Sequence, residues 1–143
     1  MVFGLLALTV AAFYSGAASW VSFVEHPARS RLDERAQLEA WKASSVRGTV
    51  MQASLAVLGI VLGGVAWYFT GDLRWLVGAL VLLVIRPYAL VAIVPVDKAL
   101  MAISPSEAGP ASRALLDRWG RLHAVRTALG LVAMAIFLWA TIA

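Results

Sequence analysis

Four apolar runs divide the chain, separated by two long charged stretches and one two-residue turn. They cover residues 2–24, 46–70, 73–95 and 122–142, and each meets the roughly 20 residues a helix needs to cross a bilayer. The pattern predicts an all-α fold: an integral membrane four-helix bundle forming a single domain over residues 1–143. Gly71-Asp72 reads as a tight hairpin between spans two and three. In the first long link, Ser30-x-x-Asp33 matches a capping box, followed by Leu32, Ala36, Leu38 and Trp41 on a rough apolar face. That combination predicts a short interfacial helix lying on the membrane surface. Ser112 is placed to cap the last helix, which is expected to begin before its span enters lipid.

Composition agrees. Hydrophobic residues make up 62% of the chain and charged residues 14%, against roughly 45–50% and about 25% in a soluble domain. There is no cysteine, which excludes disulfides, thiolate metal sites and a cysteine nucleophile. The net charge of +4 points to membrane topology rather than nucleic acid, because the basic residues gather in the links. Residues 25–45 carry Arg29, Arg31, Arg35 and Lys42, and residues 96–121 carry Lys98, Arg113, Arg118 and Arg121. The opposite side has only Arg74. The positive-inside rule then puts both links in the cytoplasm and both termini outside, in a bacterial inner membrane. The first run lacks the basic start of a secretory signal and is expected to be retained as a span. Gly59 with Gly63, and Ala12 with Gly16, are spaced for close helix approach within one bundle or between two copies.

Polar residues interrupt these runs near one end. Ser15, Ser19, Ser22 and His26 fall on one stripe of span one, and Glu25 lies about 100° around from His26. Pro27 can end that helix. Span two opens with Arg47 and carries Gln52 deeper in. Span three carries Arg86-Pro87-Tyr88, with Arg86 about 13 Å inside the end at Pro95. Pairing with Glu25, or aiming at an anionic ligand group, would offset the cost of that charge. Pro87 can kink the span, while Asp97 and Lys98 read as solvated rim residues. Span four places Trp119, His123 and Arg126 on one face.

The segments Glu25-His26-Pro27-Ala28-Arg29, Arg47-Gly48-Thr49-Val50-Met51-Gln52-Ala53-Ser54-Leu55, Pro95-x-Asp97-Lys98 and Trp119-Gly120-Arg121-Leu122-His123-Ala124-Val125-Arg126-Thr127 resemble the anthrone oxygenase-like family of small integral membrane proteins, long labelled only as a domain of unknown function. The resemblance implies oxidation of an apolar aromatic, polyketide-type substrate by dioxygen, without a cofactor. Under it, His26 or His123 is the base, Arg86 or Arg126 stabilises an enolate, and Glu25 orients a histidine or holds an arginine. Arg47, Gln52, Tyr88 and Trp119 are then the substrate-binding residues, and the bilayer delivers the substrate.

Two other readings stay open. Glu25, His26 and His123 compose a two-histidine, one-carboxylate metal set, or the histidines bracket a haem. Alternatively, the chain is a non-catalytic membrane scaffold whose charges set topology. Full pairing of both arginines with no cavity would favour the scaffold, and an open pocket lined by histidine would favour chemistry.

Overall fold

The computed structural model describes all 143 residues. Its four long helices are α1 (Val2–Arg29), α2 (Glu34–Thr70), α3 (Leu73–Ala102) and α4 (Pro110–Ile142), each long and apolar enough to cross a membrane. They alternate in direction, so links 30–33 and 103–109 share one end with each other, and the 71–72 hairpin shares the other with both termini. Each of α1 and α3 packs against both α2 and α4, and α2 also meets α4 across the bundle.

Small residues line much of the inside, around a few large ones such as Tyr14, Leu82 and Phe137, while many large residues face outward. Ala7, Ala11, Ala56, Ala79 and Ala133 are buried, whereas Phe13, Leu58, Leu83 and Trp139 are exposed. This is how a bundle in lipid is built, because lipid tails solvate leucine as well as a core does and only close packing is left to drive association. A methyl group on Gly63 or Gly78 would enter the ring of Phe137, and one on Gly59 would meet Leu82. The Gly59–Gly63 pair thus works inside this bundle. Ala12 and Gly16 do not: both are exposed, and a methyl on Gly16 would meet nothing within 4 Å. At the hairpin Gly71 takes φ +70, a conformation glycine adopts without strain. Asp72 caps α3 and is gripped by Arg74 (2.6 Å), whose hydrogen bonds hold the carboxyl below its usual range.

The predicted interfacial helix is not a separate element. Residues 34–45 are the first turns of α2, which runs unbroken for 37 residues, about 55 Å. No breaker interrupts this stretch, and Leu38 and Trp41 are buried in a second core with Leu100, Leu116 and Trp119 instead of lying on a membrane. The cap is Asp33, which accepts from Ala36 N–H at 2.9 Å. Ser30, the expected cap, donates to His26 C=O. Ser112 acts from inside the first turn of α4, accepting from Gly109 N–H at 3.0 Å. Two basic residues counted as topology signals close helix ends: Arg113 donates to the Ser30 and Leu32 carbonyls, and Lys42 to those of Met101 and Ile103.

Two π turns, Val21–Glu25 and Ala89–Ile93, interrupt α1 and α3. In each, the N–H just before a proline reaches back five residues: His26 to Val21 C=O before Pro27, and Val94 to Ala89 C=O before Pro95. Proline offers no N–H to the carbonyl four residues back and presses its ring against it, and an extra residue in the preceding turn relieves both problems. The α-helix runs past Pro87 to Tyr88, and the π turn of α3 lies beyond it, ahead of Pro95.

Candidate functional site

Both π turns flank a polar cavity of about 60 Å³ lined by residues of all four helices. Glu25 and Arg29 reach it from α1, Gln52 from α2, Asp97 from α3, and Trp119, His123 and Arg126 from α4. Arg126 is 6% exposed, yet no ion pair in the chain includes it. Its Nε donates to the Tyr14 hydroxyl at 2.9 Å, and its guanidinium lies 5.9 Å from that ring's centroid. A buried guanidinium without a carboxylate is costly, because a single neutral hydroxyl only partly replaces the lost water. Gln52 is 4% exposed, and its Oε1 has no protein partner.

The other charges at the cavity are already engaged. Arg29 pairs with Glu25 at 3.5 Å and donates to Ser44 Oγ. Asp97 accepts from Trp119 Nε1 at 2.9 Å. The Trp119 indole is itself tightly held: His123 stacks on it at 5.0 Å, Trp41 meets it edge-on at 6.0 Å, and Arg29 lies 5.8 Å away.

His123 is oriented by a chain of hydroxyls. Nδ1 is 3.0 Å from Ser22 Oγ, and Ser22 Oγ is 2.7 Å from Thr127 Oγ1. Thr127 donates to the carbonyls of Ala18 and His123. With the single Thr127 proton on one of these carbonyls, Ser22 donates to Thr127 and Nδ1–H to Ser22. The bare lone pair is then on Nε2, which has no protein hydrogen-bond partner and opens to the cavity. A neutral imidazole in this tautomer can accept a proton.

Of the residues singled out in the sequence, the cavity unites Glu25, Gln52, Trp119, His123 and Arg126. His26 stands apart from its lining: it is half-buried, packs on the Trp119 ring at 5.9 Å, and touches Gly120, where any methyl group would collide with the imidazole. Arg86 is exposed, makes no ion pair with Glu25, and lines a separate cleft between α2 and α3. Tyr88 donates to Leu122 C=O at 2.7 Å, a helix-to-helix tie. Arg47 is exposed and lines none of the three main cavities. No three His, Asp or Glu side chains are placed to hold a metal, so Glu25, His26 and His123 do not assemble as the two-histidine, one-carboxylate set.

Arg29, Asp97 and Tyr14 belong to the site and were not singled out in the sequence. Arg29 could have been found from its i, i+4 spacing to Glu25. Tyr14 could have been found from the run Tyr14, Ala18, Ser22 on one face of α1. Asp97 is not a solvated rim residue but lines this cavity and the cleft beside it.

A family model described as anthrone oxygenase matches residues 40–136. The match includes Gln52, Asp97, Trp119, His123 and Arg126 and leaves out Glu25, His26 and Arg29. No curated protein and no solved structure matches the chain.

Proposed function

The chain belongs to the anthrone oxygenase family, and from that membership we propose that it is a membrane-embedded enzyme that oxidises an apolar aromatic ketone with dioxygen. The observation that carries this reading is the buried Arg126, in no ion pair, on the same cavity as the unpartnered Nε2 of His123. A base and a fixed cation on one cavity are what removal of a proton next to a ketone requires.

The reaction begins when Nε2 of His123 takes one proton from a methylene flanked by aryl rings and conjugated to a ketone. The C–H electron pair moves onto the ketone oxygen, and Arg126 faces that enolate. The enolate reduces dioxygen. One oxygen atom becomes the new carbonyl, and the other leaves as water with the two methylene hydrogens. Dioxygen takes all four electrons. Glu25 holds Arg29, and Asp97 fixes the Trp119 wall.

A dihydroxyanthrone added to the protein in lipid nanodiscs is expected to consume one dioxygen per anthraquinone formed, well above the rate of its spontaneous oxidation in empty nanodiscs. Equal rates with and without protein would reject the reading. The excess of basic residues at the cavity end, among them Arg31, Arg35, Arg118 and Arg121 against Arg74 at the other, supports a cytoplasmic position for the site. With no native cysteine to interfere, Arg31→Cys should react with an impermeant maleimide in inverted vesicles only. Labelling in right-side-out vesicles would reverse the orientation.

A further inference from the structure

The polar cavity has room for a few waters or a dioxygen and not for a fused ring system. The proposed substrate body must therefore lie elsewhere. Beside the cavity, between α2 and α3, runs a cleft of about 710 Å³ lined mostly by apolar side chains. That volume falls within the roughly 300–1,000 Å³ typical of small-molecule sites. Thr49, Ile93, Asp97 and Arg126 line both spaces, so the guanidinium of Arg126 stands in the partition between them.

Three features of the cleft select its occupant. Ala53, Ala56 and Ala89 are small side chains on its lining, which leave depth between α2 and α3 for a ring system. Leu58 and Leu83 on its lining are about half exposed, so it opens sideways toward the bilayer. Its charged groups are few: Asp97, already bonded to Trp119, and the cations Arg86 and Arg126, neither of them in an ion pair. Arg86 in particular is exposed within an apolar span. Charged side chains in spans almost always face a cavity and a partner. An occupant that carries an acidic oxygen supplies one.

We infer that this cleft is the membrane-side port and ring-binding site for a planar polycyclic phenol with a single oxygenated edge, which enters from the lipid between α2 and α3. The central ring lies at the partition, its ketone toward Arg126 and its methylene toward the cavity that His123 lines, and Arg86 receives an acidic phenol at the rim. The inference rests on the proposed aromatic oxidation for its choice of ring substrate. Ala53, Ala56 and Ala89 then set the thickness of ring system admitted.

The test uses binding rather than turnover. A fluorophore on Leu58→Cys, at the lipid-facing rim, reports on the cleft, and one on Ala12→Cys reports on lipid at the outer face of α1. A dihydroxyanthraquinone is expected to quench the Leu58 label saturably and the Ala12 label only in linear proportion to its lipid concentration. Arg86→Gln should weaken the saturable part at least tenfold, and Ala56→Phe should abolish it. Linear quenching at both positions, or displacement by a fatty acid as effective as by the quinone, would overturn the inference and leave an acyl-chain groove. Saturable binding without oxygen uptake would remove the proposed reaction alone. Oxygen uptake without saturable binding would remove the cleft alone.

Discussion

Arg126→Gln is expected to lower turnover of a dihydroxyanthrone by roughly 10²–10³-fold, the usual effect of deleting a fixed donor at a developing oxyanion. The guanidinium is fixed before substrate arrives. Tyr14 accepts from Nε, its ring lies beneath the cation, and no carboxylate competes for the two remaining nitrogens. A donor already in place needs no reorganisation as charge develops, and a low-dielectric site strengthens its effect. Stability should move the other way or not at all, since the substitution removes a buried charge that has no carboxylate partner. Thermal melting in detergent checks that half of the prediction. Arg126→Lys should restore less than tenfold, because an ammonium cannot bond Tyr14 sideways and still present a planar pair of donors to the cavity. Retention of turnover within tenfold in Arg126→Gln would dismiss Arg126 as the oxyanion partner. Loss of turnover together with loss of folding would make the residue structural.

His123→Ala is expected to cost roughly 10²–10⁴-fold in turnover, the range for a positioned general base. His26→Ala should cost less than tenfold, because His26 packs behind Trp119 and does not line the cavity. A purely structural role for His123 would be lost on truncation and would stay lost. A proton-transfer role predicts partial recovery when imidazole is added to the His123→Ala protein, because the freed volume opens on the cavity. Ser22→Ala should cost less than His123→Ala, since it disturbs only the tautomer that Ser22 and Thr127 impose on Nδ1. If His26→Ala abolishes turnover while His123→Ala spares it, the base has been assigned to the wrong histidine.

The sequence determined the bundle, its hairpin and the end of the molecule that carries the polar cavity. Each of these is a local property. Span length and hydropathy are read along one stretch of chain, and alternating direction then puts the residues near Glu25, Asp97 and His123 at one end without any knowledge of packing. The His123–Arg126 pair was equally legible, because α4 is regular α-helix through both and a spacing of three keeps them on one side.

Only the tertiary structure decided which polar residues face inward. Phase counted at 100° per residue fails across a π turn, where one extra residue is worth about 100° of rotation. The stripe drawn from Ser15 to His26 crosses such a turn at Val21–Glu25, and beyond it Glu25 and Arg29 line the cavity while His26 does not. Arg86 was undecidable for a different reason. Its neighbour Ile85 is 3% exposed and Arg86 itself is exposed, yet both sit among leucines and valines. In water, a helix marks its buried face with apolar residues and its free face with polar ones. Lipid is as apolar as a packed interior, so that contrast disappears, and the inner face of α3 is set by which small side chains let α2 and α4 come close.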